Sequence, residues 1–332
     1  MKADPIPLLV TFPQRLWDTK VSPARRHSIW AMMRADSLFR VVVSGPGWPN
    51  WCNDGSLASN IERVMPSAKA ILCYKPLGTR EAIRLNKIAE CPVPRVLRFN
   101  EAWWPGSLAA KEAVQASASL VVCHHAVDVP MFHHAIDLLP DLRIACIPHC
   151  AEVTMFGHRP ANSCRSIDAL LAGNCGPSVY PLRGKWERVI AATCGQKATV
   201  QLKHPGYRKR SVQDCEKTVS RYAMFLGDAK IALVCSSKFK YPLAKYVEAA
   251  MSGCLVLGDM PDAAPDGYAD MVATVPCNAS PAELADTVNS WLSRPDDLIA
   301  KAELGQKVAR GQFSQEDYAR KFHAAVADML GQ

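Results

Sequence analysis

The stretch Lys230–Pro261, KIALVCSSKFKYPLAKYVEAAMSGCLVLGDMP, reads as strand, loop, helix and strand. Ile231–Val234 is an apolar run of strand length, closed by Cys235, Ser236 and Ser237. Pro242 suits the first turn of a helix, where the amide it lacks would have no internal partner. Leu243, Val247, Ala250 and Met251 then recur at helical spacing and make a buried face. Ser252 and Gly253 stop the helix, and Leu255–Leu257 forms a second buried strand ending at Gly258 and Asp259. In this frame Lys245 and Glu248 lie one helical turn apart.

A helix that opens at Leu243, Ala244 and Lys245 offers free amides and the positive end of its dipole, which suit a diphosphate. Glu248, one turn further in, suits the diol of a ribose. The same two residues equally describe an exposed Lys–Glu pair on an ordinary α/β helix, and spacing alone leaves both readings open.

Lys245–Asp259 resembles the C-terminal nucleotide-binding segment of GT-B glycosyltransferases, in the branch called glycosyl transferases group 1 and its spore-coat-type relatives. The family pattern there is E-x7-E, followed by Ala-x-x-x-Gly and an apolar strand. Glu248 matches the second glutamate, which the resemblance assigns to the donor ribose. The first glutamate falls on Lys240, where this chain departs from the pattern. Ile147–Phe156 (IPHCAEVTMF) resembles the family's interdomain segment Ile-Pro-Asn-Gly-Val-Asp-x-x-x-Phe, with His149 and Cys150 in place of Asn-Gly.

The resemblance implies an α/β architecture of two Rossmann-like, doubly wound domains facing a cleft. The expected boundaries are residues 1–150 for an acceptor-side domain and 151–312 for a nucleotide-sugar domain. Residues 313–332 are expected to form a closing helix that packs back toward the first domain. The implied activity is hexosyl transfer from a nucleoside-diphosphate sugar, with a UDP-sugar foremost, to a hydroxyl acceptor. Retention of configuration, independence of metal and the lack of a tightly bound cofactor are further implications of the family.

Composition agrees with this class. A chain of 332 residues is natural for two domains, and 49% hydrophobic content is ample for two cores. No apolar run approaches the ~20 residues of a membrane span, and the first residues lack the apolar core of a signal peptide. The thirteen cysteines are odd in number, scattered and without a C-x-x-C pair. They suit reduced thiols in a cytoplasmic protein better than a disulfide framework or a zinc site. A formal charge of +8 suits anionic ligands, sugar nucleotides and nucleic acid alike.

Apolar runs at 7–12, 39–43, 70–74, 95–99, 120–123 and 144–147 read as strands separated by helical segments, the signature of a parallel sheet. Ligands of such sheets sit beyond the carboxyl ends of the strands. Those ends collect Trp48 and Trp51, Lys75, Asn100 and Glu101, His124 and His125, and Asp128. Trp48, Trp51 and Asn100 are candidates for the acceptor side, the tryptophans equally serving as packed lid residues. Glu101, His124 and His125 are the catalytic candidates, each also readable as a strand-end or cap residue.

In the second half, Ile167–Ala172 reads as a strand, Gly173–Ser178 as a tight loop, and Tyr180–Lys185 as the opening of a helix. By resemblance, Arg183 and Lys185 lie near the diphosphate, Arg with a two-pronged grip and Lys as a compact charge. After the strand at 197–202, the basic loop Lys203–Arg210 carries Tyr207 and His204 as candidates for the nucleobase. That loop also suits a nucleic-acid backbone. Three acceptor classes therefore stay open: a glycan, a small molecule, or DNA with hydroxymethylated bases. A non-catalytic protein that keeps the fold and binds a sugar nucleotide or a carbohydrate is the remaining alternative.

Overall fold

The computed structural model describes residues 4–19, 23–73, 85–101, 107–193, 198–204 and 211–332. The chain divides into two compact units. One holds the chain up to Pro148 together with Tyr318–Gln332; the other holds most of His149–Asp317.

In the first unit six strands form one sheet: β1 (Ile6–Thr11), β2 (Phe39–Ser44), β3 (Ala70–Cys73), β4 (Arg95–Phe99), β5 (Leu120–Cys123) and β6 (Arg143–Cys146). Their order is β2-β1-β3-β4-β5-β6, and every pairing is parallel. β3 and β5 are buried along their whole length, as expected where helices cover both faces of a sheet. Leu9, Ile71, Leu97 and Val121 share a core with Leu57 and Ile61 from the helix Leu57–Val64. The sequence reading assigned no element there; Ser56 caps this helix by accepting from the Ser59 amide. Between β3 and β4 the described residues show a single 3-10 turn at Ile88–Glu90. From Tyr318 onward the last helix, Gln315–Met329, packs in this unit, with Phe322 on Phe39 and Tyr318 on His124.

The second unit has five strands: β7 (Ile167–Gly173), β8 (Thr199–Lys203), β9 (Ala229–Leu233), β10 (Leu255–Gly258) and β11 (Val272–Thr274). All pair in parallel in the order β11-β10-β9-β7-β8. Alternation along the strands fixes which face each side chain takes. Leu171, Leu233 and Leu257 pack with Trp186 and Leu284, from the helices Pro181–Thr193 and Pro281–Leu292. Leu170, Ala232 and Val256 pack with Leu226, Val247 and Met251, from the helices Val212–Asp228 and Ala244–Met251. Val219, Ala223 and Leu226 recur at helical spacing along the seventeen-residue helix Val212–Asp228 and form its buried face. Ser280 and Glu283 close a reciprocal capping box at the start of Pro281–Leu292.

No helix among the described residues is long and apolar enough to cross a membrane. The twelve cysteines described are free thiols. Burial pushes Cys73 and Cys254 up to about 12, so both stay protonated and act as small apolar groups.

Candidate functional site

The order β8-β7-β9-β10-β11 reverses direction at β7, so the crossovers leaving β7 and β9 diverge to opposite faces of the sheet. This leaves a crevice beyond their carboxyl ends, where open α/β sheets bind ligands. Gly173 ends β7 with φ +111°, a conformation that favours glycine. A Cβ on Gly173 would lie 3.0 Å from Lys245 Cε and 3.3 Å from Arg183 Nη1. The missing side chain thus lets two cations, carried by helices on opposite faces of the sheet, meet over one strand end. Gly173→Ala is expected to cost about 1–3 kcal/mol of stability through the strained φ. It should also part the two cations; denaturant unfolding reads the first effect and titration with an anionic ligand the second.

Arg183 is only 3% exposed. Its guanidinium lies 4.2 Å from the Tyr180 ring centroid, and Nη1 donates to the Asn174 carbonyl at 3.3 Å. Its Nε is buried without a hydrogen-bond partner among the described residues. An unpartnered donor on a buried cation is costly unless a ligand completes it.

Lys245 places Nζ 4.2 Å from the ring centroid of Tyr222. Burial lowers its pKa to about 8, with Arg183 adding to the shift and Glu248 opposing it. Glu248 is 9% exposed. Ala244 and Lys245 are the first residues of the helix Ala244–Met251, whose leading amides have no internal acceptor. Leu243 differs from expectation: its amide donates to the Tyr241 carbonyl at 2.9 Å and is not free. Leu243 is the N-cap residue, still extended at φ −66° and ψ 152°.

Lys240, at the position where the sequence departs from the family glutamate, pairs with Asp259 at 3.0 Å. It adopts a left-handed φ of +56°. Burial alone would lower its pKa, but the Asp259 carboxylate outweighs this and raises it. Asp259 is buried and also accepts from the Ser236 amide, the Ser236 hydroxyl and Tyr246 Oη. One carboxylate at the end of β10 therefore fixes the loop that leads into the Ala244–Met251 helix.

Known structures share the pattern of two all-parallel units. A glycosyltransferase from Rickettsia africae matches with TM-score 0.60 and 13% identity, over 99% of both chains. Anabaena HepE in complex with UDP and glucose matches with TM-score 0.59 and 13% identity, over 96% of this chain and 99% of that one. Sucrose-phosphate synthase from Thermosynechococcus elongatus matches with TM-score 0.57 and 10% identity, over 98% and 99%. The chain has the GT-B fold. No family model matches the sequence, and no curated protein does.

Of the residues singled out from sequence, the GT-B fold brings Arg183, Lys245 and Glu248 to one strand-end crevice in the second unit. Lys185 goes elsewhere: its ammonium donates to the Cys277 and Ala279 carbonyls at 2.9 and 2.8 Å, beside the start of the next helix. Tyr207 and most of the basic loop lie outside the described residues, as does Lys75.

In the first unit His124 and His125 are buried rather than presented on a rim. Burial drives His124 well below its ordinary value, and Nδ1 bonds the Ile147 carbonyl at 2.8 Å. Burial takes His125 down to about 3. Both imidazoles are therefore neutral at physiological pH, and Asp128 is buried close by. Trp48 donates its indole N–H to the Phe12 carbonyl at 2.8 Å, and Trp51 packs against the core of that unit. Glu101 is exposed and Asn100 half-buried. Among the described residues no group of three or more His, Cys, Asp or Glu is arranged to hold a metal. Sequence reasoning missed Tyr180 and Tyr222; the helical spacing of Val219, Tyr222, Ala223 and Leu226 was the available signal for the second.

Proposed function

We propose that this chain is a glycosyltransferase that moves a hexosyl group from a UDP-sugar to a hydroxyl acceptor, with retention of configuration and without a resident metal. The observation that carries the reading is the convergence of Arg183 and Lys245 over Gly173, with Glu248 one turn beyond. Two cations and the open end of a helix match a diphosphate, and a buried carboxylate at this distance matches a ribose diol. Structures of the same fold that hold UDP or UDP-glucose support the choice of base.

In this reading the bond between the anomeric carbon and the diphosphate oxygen breaks, and its electron pair leaves with the diphosphate. Arg183, Lys245 and the amides of Ala244 and Lys245 stabilise that growing charge. These groups supply what a divalent cation would otherwise supply, which is why we propose a metal-independent course. A new bond forms from the acceptor oxygen, whose proton passes to a basic group. Glu101 is the exposed candidate for that role in the first unit, because His124 and His125 are buried and neutral. The first unit thus takes the acceptor and the second the donor.

The test is thermal stability against UDP, ADP, GDP and TDP and their glucosides, with Glu248→Ala alongside. A ligand at a hundredfold excess over Kd stabilises the folded state by about 2.7 kcal/mol. UDP is expected to raise the melting temperature of the native chain and to leave that of Glu248→Ala unchanged. Slow release of UDP from UDP-glucose would then separate a transferase from a protein that only binds. No shift with any nucleotide at saturating concentration would overturn the reading.

A further inference from the structure

We propose that Arg98 binds an anionic group of the acceptor, so that the hydroxyl to be glycosylated belongs to a phosphorylated or carboxylated molecule. The assignment rests on the reading above that the first unit takes the acceptor.

β4 (Arg95–Phe99) carries two arginines three residues apart, one near each end. Val96 and Leu97 between them are buried in the core. Arg95, at the amino end, serves structure. Every nitrogen of its guanidinium donates to a carbonyl: Nε to Ala116 and Ser117, Nη1 to Cys91 and Val93, and Nη2 to Ser117. These bonds tie the start of β4 to the chain that leads into β5. Arg98, near the carboxyl end, is placed differently. Its side chain is half-buried, and its Nη1 is buried with no hydrogen-bond partner among the described residues. No ion pair among those residues includes it.

A positive charge drawn partly out of water without a partner is costly. Nothing on the neighbouring strand offsets that cost. Arg98 stands in register with Val122 of β5, and the first residue beyond β5 is His124. His124 is buried and neutral, its pKa lowered first by burial and then by Arg98. The strand end that holds this uncompensated charge is also the end where parallel sheets bind ligands. A guanidinium is a planar fork that fits two oxygens of a phosphate or a carboxylate, and it keeps its charge at every working pH. Glu101 is exposed and follows three residues later, at most about 10 Å along the chain. Arg98 therefore holds the anionic end of an acceptor within reach of Glu101, and its attraction keeps that anion off the carboxylate.

Arg98→Met tests this, because it keeps an apolar stem and removes the charge. The chain is saturated with UDP, so that the cations of the second unit are occupied, and is titrated by calorimetry with inorganic phosphate and, separately, with acetate. Millimolar binding of at least one anion is expected, weakened at least about tenfold in Arg98→Met, the worth of hydrogen bonds to a charged group. Tighter binding of phosphate would assign a phosphate-bearing acceptor, and tighter binding of acetate a carboxylate-bearing one. Lys111→Gln removes an exposed lysine of the same unit and should bind as the native chain does, which separates a built site from attraction by net charge. The melting temperature without ligand is the second readout. Replacing an arginine that serves structure leaves carbonyls unpaired and lowers it; Arg98→Met should melt at or above the native temperature, because only an unpaired cation has gone. Native affinity for both anions in Arg98→Met, a marked fall in its melting temperature, or no binding of either anion by the native chain at about 50 mM would overturn the assignment. A native chain that does not bind UDP would remove the donor-site reading, and the same titrations without UDP would still decide whether Arg98 binds an anion.

Discussion

Arg183→Ala is expected to lower kcat for transfer from UDP-glucose by about 10²–10³-fold, with a smaller change in KM. The side chain is buried, its guanidinium lies over the Tyr180 ring, and its Nε has no hydrogen-bond partner among the described residues. A cation held in this way has already met its desolvation cost in the folded chain, so it can respond to negative charge as that charge appears on the leaving diphosphate. Arg183→Lys should restore little, because an ammonium cannot reproduce a planar fork that stacks and donates in two directions. A second signature is electrostatic. Arg183 helps to depress the pKa of Lys245, so its removal should move that titration upward. Turnover within threefold of native in Arg183→Ala would exclude the residue from the site.

The affinity for UDP should fall steeply on the alkaline side. Lys245 has a pKa of about 8 in the free chain, lowered first by burial and further by Arg183. A bound diphosphate favours the ammonium and raises that pKa, so binding takes up a proton wherever the free lysine has lost one. Below about pH 8 the lysine is already charged, and its contribution to affinity is constant. Above it, the affinity should weaken toward tenfold per pH unit, reaching about a hundredfold by pH 10. Calorimetry in two buffers of different ionisation enthalpy counts the protons directly: near none at pH 7, approaching one at pH 9 and above. Lys245→Arg should abolish the decline, because arginine keeps its charge over this range. A flat profile to pH 10 in the native chain would show that Lys245 does not meet the ligand's charge.

Local chemistry was enough to set most of the elements. The apolar run at Ile231, the proline before the helix, the periodic Val247, Ala250 and Met251, and the Gly253 stop are short-range signals, and the strands and helix formed where they stand. Alternation of such units makes a parallel sheet on general grounds, so the fold class was legible before any coordinates. Lys245 and Glu248 were legible as a pair for the same reason, since helical spacing alone places them one turn apart.

What the sequence could not determine was which groups meet across elements. Lys185 lies two residues beyond Arg183 on the same helix, yet one binds carbonyls at 277 and 279 while the other reaches the end of β7. Composition treats them alike; only the helix's rotation against the sheet separates them. His124 and His125 read as rim residues, but both are buried, His124 against Tyr318, and burial strips their charge. Lys240 found its partner in Asp259 nineteen residues away, because parallel pairing of β9 and β10 puts the two loops side by side. Tyr222 is the sharpest instance. Its helix and the one bearing Glu248 are separated by β9, and they become neighbours because both crossovers lie on one face of the sheet. Short-range patterning fixes each element and the face it buries; strand order, a long-range property paid for in loop entropy, decides which side chains share a site.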